Sequence, residues 1–350
     1  MDLEAVERFA FKVAGDHATA RAGALAYIGD KLGIWAALAG SGPVTSTELA
    51  QITSLNERYL REWLATQAAV GYLEFEPGSA RFVLPPEHAA VLAVEGTPAS
   101  MAGGFQGTHS FYAAADPVAE AFRSGTGVAW GEHHPNLYEA TDRFFRPLYE
   151  ASLVSEWLPA LEGVPALLEE GATVLDVGCG HGSSTILMAQ AYPESRFLGI
   201  DIHEESIVAA REEAAKAGVE DRVTFEVADI ETFTRRGFDL ACFFDAFHHV
   251  GDPERAARRV REALGPDGRL LLVEPLAGAH VEDNLNLVGL IYYAASTLIC
   301  VPDAVAQGAD DALGGQAGPD RLVEVLRAAG FQDAGVAAEA PFNIVVEGRR

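Results

Sequence analysis

The sequence predicts an α/β protein. A mostly parallel sheet covered by helices ends in an antiparallel hairpin and follows a mainly helical, winged-helix N-terminal domain. Three observations predict it. From residue 171 strand-like runs alternate regularly with helical patterns, the signature of parallel strands joined by helical crossovers. Before residue 100 the order is helix, turn, helix and two short strands, which is that of a winged helix. The 350 residues also exceed what one ordinary core organises, so two domains are expected.

Residues 3–40 are rich in Ala and Leu. Leu25, Ile28, Leu32, Trp35 and Leu38 recur there at helical spacing, interrupted by Gly33. Thr45 or Ser46 caps a short helix through Ala50. Asn56 caps a longer one with the apolar stripe Leu60, Trp63, Leu64 and Ala68. The runs YLEFE and ARFVL flank a turn-forming Pro-Gly-Ser. A winged helix raises the question of DNA, but Glu57, Arg58, Arg61 and Glu62 on the would-be recognition helix cancel. The whole chain carries 51 acidic against 25 basic residues, a formal charge of −26. Such a surface repels phosphate backbones, so no nucleic acid is expected as partner, and a neutral or cationic small molecule is. Dimerisation is the expected role of this domain.

In residues 101–164, AAADPVAEAF and NLYEATDRFFRPLYEASLVSEWLPAL read as helices around a loop, SGTGVAWGEHHP. The expected division is 1–100, 101–164 and 165–350. TVLDVG, RFLGID, RVTFEVAD, FDLACFFD and RLLLVEP are the strand candidates of the third segment, and DAGVAAEA with FNIVVEGR is its closing hairpin. The connection 276–316 is long for a compact α/β domain, and such connections are usually functional. No apolar stretch reads as approaching the roughly 18–20 uninterrupted residues of a membrane span. The first residues lack the layout of a signal peptide. Cys179, Cys242 and Cys300 are widely spaced and form no metal pattern. A cytoplasmic protein without membrane association is expected.

Gly178, Gly180 and Gly182 lie beyond the first strand, where open parallel sheets bind ligands. Their G-x-G-x-G spacing departs from the dinucleotide fingerprint, and no Gly-Lys-Ser/Thr ends the loop as a phosphate cradle requires. Acidic residues then mark three consecutive strands. Asp176 precedes the glycines. Asp201 can accept both hydroxyls of a ribose, and Asp229 an adenine amino group. Ile202 and Ile230, the residues after them, can sandwich a purine. With no basic residue in the loop, the ligand implied has a ribose, a purine and a cationic or zwitterionic tail.

VLDVGCGHG, GIDI, VADI, FDLACFFDAFHHVGDP and LLLVEP, in this order over residues 171–275, resemble the motifs of the class I S-adenosylmethionine-dependent methyltransferases. A winged helix ahead of such a domain is similar to the O-methyltransferases of plant and bacterial secondary metabolism. KLGIWAAL, RYLREWL, RFVLPPEHA, STLICVPDAVAQG and LGGQAG resemble a bacterial and animal branch of them. The resemblance implies a Rossmann-like sheet, S-adenosyl-L-methionine as donor with S-adenosyl-L-homocysteine as product, and a homodimer whose N-terminal domain helps wall the substrate pocket. It places the donor's amino-acid end near Gly178, Cys179 and Gly180, the ribose at Asp201 and the adenine at Asp229. Asp176 and Phe244 are expected in the same site.

The implied reaction is O-methylation of a small, partly apolar acceptor. N- or C-methylation, a cofactor-binding relative without transfer, and a winged-helix regulator are the alternatives. The O-methyltransferase pattern His-Asp-Trp-x-Asp faces His248-His249-Val250-Gly251-Asp252 here, so His248 falls on the catalytic histidine, with Val250 replacing the tryptophan. His248 and His249 are the expected catalytic residues; the other reading is that they brace the strand-to-helix turn. His133 and His134 form a second pair, either lining the substrate pocket or lying in an exposed loop, and no metal is expected there. Tyr138, Phe145, Tyr149 and Leu153 recur at helical spacing as a core stripe or an aromatic wall, with Tyr149 over the cationic donor. Asn284, Asn286 and Tyr292 are expected at the substrate, on a helix that otherwise serves as a lid or dimer contact.

Overall fold

The computed structural model describes residues 1–97 and 99–350. The chain divides into two compact units, residues 1–109 with 143–147, and residues 110–142 with 148–350.

In the first unit the helix Leu3–Lys31 starts on Asp2, whose carboxylate accepts from the N–H groups of Glu4 and Ala5. Gly33, at φ 69°, precedes the short helix Ile34–Leu38. Thr45 caps Ser46–Thr53 in a capping box with Glu48, and Asn56 caps Glu57–Ala69. Strands β1 (Glu74–Glu76) and β2 (Arg81–Val83) pair antiparallel as the wing. The stripe Leu60, Trp63 and Leu64 packs on Trp35, Leu38 and Leu49. Both indoles are buried with their N–H groups satisfied: Trp35 Nε1 donates to Ala26 O at 3.0 Å, and Trp63 Nε1 to Leu25 O at 2.7 Å. Two indoles fit against one helix because Gly29 has no side chain. A Cβ there would lie 2.5 Å from the Trp63 ring and 2.8 Å from Trp35 Nε1.

The second unit is built on seven strands: β3 (Thr173–Val177), β4 (Arg196–Asp201), β5 (Val223–Val227), β6 (Phe238–Phe244), β7 (Leu264–Pro275), β8 (Asp333–Glu339) and β9 (Asn343–Arg349). Their order is β5-β4-β3-β6-β7-β9-β8. The first five run parallel, and β9 lies antiparallel between β7 and β8. The expected sheet and its closing hairpin are therefore present. Central strands covered on both faces read as near-continuous apolar runs, which is why they were legible. The strand order reverses between β3 and β6, so the crevice at a topological switch point opens beyond their carboxyl ends.

One expectation fails. The helical run Leu287–Ala306, 20 residues long, has the length and composition of a membrane span, and 44% of it is buried within the protein. One face of it is buried in this unit: it contains a π-helical turn, Ser296–Cys300, and carries the buried Asp303, which is bonded to His249.

The Gly29 contact yields a test of the first unit. Gly29→Ala forces one methyl group into the two indoles, and overpacking of this kind costs about 1–3 kcal/mol. Urea denaturation followed by tryptophan fluorescence should show the loss.

Candidate active site

Beyond β3 the chain turns through Gly178, Gly180 and Gly182, all at positive φ (69°, 52° and 81°). A side chain would be strained at each and blocked at two of them. A Cβ on Gly178 would meet the Ala246 methyl at 2.6 Å, and one on Gly182 the Phe225 ring at 2.5 Å. The loop's N–H groups point back to β4. Those of Gly178 and Cys179 donate to Ile200 O at 2.8 and 3.1 Å, and that of Gly180 to Asp201 Oδ2 at 2.9 Å. With these donors spent, the loop is no phosphate cradle. Cys179, expected at the cofactor, turns its sulfur toward Gly199 of β4, where an added Cβ would lie 3.0 Å from Sγ. Its side chain is a packing element.

Asp176, in β3, is 1% exposed. Its Oδ2 accepts from the hydroxyls of Ser184 and Thr185 at 2.7 and 2.6 Å, while Oδ1 has no partner among the described residues. Burial pushes its pKa up to about 6, against the pull of those two hydroxyls. Asp201 clasps the loop, accepting from Gly180 N–H and, through Oδ1, from His203 N–H at 2.9 Å; burial raises its pKa. Asp229 is exposed and accepts from Glu231 N–H at 2.8 Å. Of the two expected purine-flanking residues, Ile202 is open, at 48% exposure, whereas Ile230 belongs to the main core. Its side chain is 5% exposed and packs in the cluster that also holds Leu198 and Ile200.

Tyr149, on the helix Asn136–Ser152, is buried with its ring 5.6 Å from that of Phe244, at the end of β6, and 5.9 Å from that of Trp157. Its hydroxyl donates to Asp245 Oδ2 at 3.2 Å. Burial and the Asp245, Asp176 and Asp142 carboxylates raise the Tyr149 pKa, so these acids converge on the ring. The same helix brings Asp142, which accepts from Ser183 Oγ at 2.5 Å beside the glycine loop. Sequence reasoning missed Asp142 and Asp245. Their only signal was position: Asp245 closes the fourth strand run, and Asp142 lies seven residues before Tyr149, two turns of the same helix face.

Past β6 the chain turns at Asp245, which holds a left-handed φ of 52°. Asp245 N–H donates to Val273 O at 2.7 Å, and its Oδ1 accepts from Asn343 Nδ2 at 2.7 Å. Burial and neighbouring Glu274 push its pKa up to about 8. The next turn, Phe247–His249, sits on Glu274 of β7. Glu274 Oε1 accepts from Phe247 N–H at 2.9 Å, and Oε2 lies 2.6 Å from His248 Nδ1. A carboxylate accepts, so Nδ1 carries the proton and the basic lone pair of His248 is on Nε2. Burial opposes charge on this ring, but Glu274 and Asp245 outweigh it and raise the His248 pKa. His249 Nδ1 lies 3.1 Å from Asp303 Oδ2. Burial opposes its protonation too, yet Cys300 and Asp303 bring its pKa to about 9. Asp252 caps the helix Pro253–Ala263 by accepting from Arg255 N–H, which is its structural reason for standing there.

The other expected substrate residues divide. Tyr292 is buried, donates to Phe342 O at 2.8 Å, and lies near enough to Asp245, Glu274 and Cys300 for them to add to the rise that burial causes in its pKa. His133 is 6% exposed and neither ring nitrogen has a partner among the described residues. Burial lowers its pKa, and its ring packs against Trp130, centroids 6.4 Å apart, as does that of His249 at 5.3 Å. His134 is half-buried and its Nδ1 accepts from Asn136 N–H at 3.1 Å. Asn286 does not face this cluster as a free side chain. It is exposed and caps Leu287–Ala295, accepting from Gly289 N–H and donating to Asp283 O. Asn284 is likewise spent on Gly278 and His280.

Residues 168–330 match the family described as a methyltransferase domain, and residues 20–94 match the Rv2258c-like winged HTH domain. The chain carries a methyltransferase domain behind an N-terminal winged HTH domain. It is similar to the mitomycin biosynthesis 6-O-methyltransferase of Streptomyces lavendulae, 26% identical over 304 residues, covering 82% of this chain and 86% of that one. It is 33% identical over 145 residues to the 27-O-demethylrifamycin SV methyltransferase of Amycolatopsis mediterranei, covering 41% of this chain and spanning 48% of that relative. Its fold is that of human N-acetylserotonin methyltransferase, solved with S-adenosylmethionine: TM-score 0.72, 18% identity, 97% of each chain. It is also that of the mitomycin 7-O-methyltransferase: TM-score 0.71, 21% identity, 100% of each chain.

The methyltransferase's own residues suit the family's donor. The orphaned Asp176 Oδ1 is an acceptor left over for an ammonium group. Asp142 and Asp176 place negative charge near the aromatic Tyr149, where a sulfonium is favoured.

These buried acids make the donor-free methyltransferase pH-sensitive. Asp176 and Asp245 are raised from 3.8 to about 6 and about 8, so the folded state binds more protons than the unfolded one between roughly pH 4 and 8. Stability therefore falls as pH rises through that window. The Asp176 part is on the order of 3 kcal/mol for a shift of about two units. The thermal midpoint should drop from pH 5 to pH 8, and Asp176→Asn should flatten the drop around pH 6; a profile unchanged by the substitution would contradict this account.

Proposed function

We propose that this protein transfers the methyl group of S-adenosylmethionine to an oxygen atom of a small, partly apolar acceptor, with His248 as general base. The observation that carries the base assignment is the Glu274–His248 pair, which holds Nδ1–H and leaves Nε2 to take a proton. Bound S-adenosylmethionine supplies an electrophilic methyl group on a sulfonium centre. Asp176, Gly178 and Gly180 hold its amino-acid end, Asp201 the ribose and Asp229 the adenine, with Ile202 and Phe244 against the ring system. Tyr149 and the acids around it orient the cationic centre. His248 removes the acceptor's proton as the new bond forms, and Glu274 stabilises the imidazolium that results. Tyr292 and His133 belong to the wall on the acceptor's side. A phenol-like acceptor with a pKa near 10 is ionised to only about one part in a thousand at neutral pH, so a base is worth about 4 kcal/mol. Positioning contributes the rest, up to roughly 7–11 kcal/mol in well-oriented systems. The oxygen-methylating relatives support the choice of acceptor atom.

We further infer a cytosolic homodimer assembled through the N-terminal unit. Its first helix leaves Leu3, Val6, Phe9 and Phe11 exposed, apolar side chains that a second copy would cover. The three buried free cysteines fit a reducing compartment.

The test is labelled methyl donor with a panel of phenols, carboxylic acids and amines. Phenols should be methylated, at a rate that rises with pH to a midpoint above 6.5, the ordinary histidine value that His248 exceeds. His248→Ala should lower that rate roughly a thousandfold. A loss below about tenfold would leave positioning alone and remove the base. Failure to bind S-adenosylhomocysteine in calorimetry would end the proposal altogether. Sedimentation tests the dimer: Phe9→Asp with Phe11→Asp should shift it to monomer.

A further inference from the structure

His248, His249 and Cys300 each offer a ligand atom, and the three atoms lie within 4.8 Å of one another. Two come from the turn after β6 and the third from the π-helical turn of the long apolar helix. Short π-helical turns are often kept at functional sites. We propose that these residues form a three-ligand site for a zinc-class divalent cation, with its fourth position open. The site goes beyond methyl transfer and stands independently of the acceptor.

The chemistry of the ligands carries the argument. Imidazole nitrogen and thiolate sulfur are the donors such ions prefer, and three protein ligands with an open position is the pattern of reactive zinc. Metal-binding histidines usually give their other ring N–H to a carboxylate, and here both do. His248 Nδ1 meets Glu274, and His249 Nδ1 meets Asp303. That leaves Nε2 as the coordinating lone pair on each ring. Asp303 is itself fixed by Trp130 N–H, which donates to its Oδ1 at 2.9 Å. Bonds of about 2.0–2.1 Å to nitrogen and 2.3 Å to sulfur require the three ligand atoms to close to about 3.3–3.6 Å from one another.

A second observation points to the same place. His133, nine-tenths buried, has both ring nitrogens unbonded among the described residues, and its ring and that of His249 both pack against Trp130, with centroids at 6.4 and 5.3 Å. A buried imidazole without partners is costly, and a metal-bound water beside it would satisfy one nitrogen. Coordination displaces the Cys300 thiol proton and the Nε2 proton of each ring that is charged, all passing to solvent buffer; no redox change is involved. Since His248 Nε2 is also the proposed base, a loaded site withdraws that lone pair from the acceptor.

The test uses cobalt(II) as a spectroscopic stand-in, titrated into chelator-treated full-length protein under a non-thiol reductant. One equivalent should bind with a thiolate-to-cobalt charge-transfer band and strong visible bands of four-coordination, all bleached by zinc. Cys300→Ser should lose the charge-transfer band while Cys179→Ser keeps it, with circular dichroism confirming that the variants fold. His249→Ala should abolish the band at one equivalent. Asp303→Asn should weaken binding about 10–100-fold while leaving the band itself in place. No charge-transfer band in the wild-type protein, or a band retained in folded Cys300→Ser or His249→Ala, would overturn the site.

Discussion

Glu274, deep at the end of β7, organises the active end of the sheet. A buried carboxylate is tolerated only when its oxygens are bonded, and the two donors it finds are Phe247 N–H and the His248 ring. Meeting that need fixes the turn after β6 and the direction of the imidazole in one step. The same constraint reaches the terminal hairpin. Asn343, the first residue of β9, donates to the Glu274 carbonyl and to Asp245. Asp245 can hold its unfavourable left-handed backbone because Val273, Asn343 and Tyr149 all bond it. The antiparallel strand that closes the sheet is thus also a support of the site.

Negative charge then decides what the crevice accepts. Asp142, Asp176, Asp201 and Asp245 gather around a loop in which the N–H groups of Gly178, Cys179 and Gly180 are spent on β4. A cation meets there an orphaned carboxylate oxygen and an aromatic ring. The three glycines therefore serve geometry twice. They let the chain double back onto Ile200 and Asp201, and they keep Ala246 and Phe225 free to pack.

The helix Leu287–Ala306 shows why composition alone misleads. Its apolar length is that of a membrane span, yet its inner face holds Tyr292, Cys300 and Asp303, three polar groups of the histidine cluster. Asp303 lies 54 residues from His249 and 173 from Trp130 in sequence, although it bonds both. The apolar residues around it supply the low-dielectric setting in which those bonds matter.

Local rules made much of this molecule legible from its residues. Thr45 and Asn56 cap helices, Gly33 breaks one, and the buried strands appear as apolar runs that end at Asp201 and the glycine loop. These features follow from periodicity and from bonds between near neighbours, which a sequence displays directly. The order of motifs along the chain likewise determined the family and its methyl donor. Only the tertiary structure decided which polar groups meet. It turned Cys179 and Ile230 inward, spent Asn286 on a helix cap, and joined His248 to Glu274 across 26 residues. It also brought in Asp142 and Asn343, which no motif marked, and gave a role to Asp245, which lies in a motif but was not singled out. The physical reason is that a buried charge takes whatever partner the packing of distant elements puts within 3 Å, and spacing along one strand or helix carries no record of that choice.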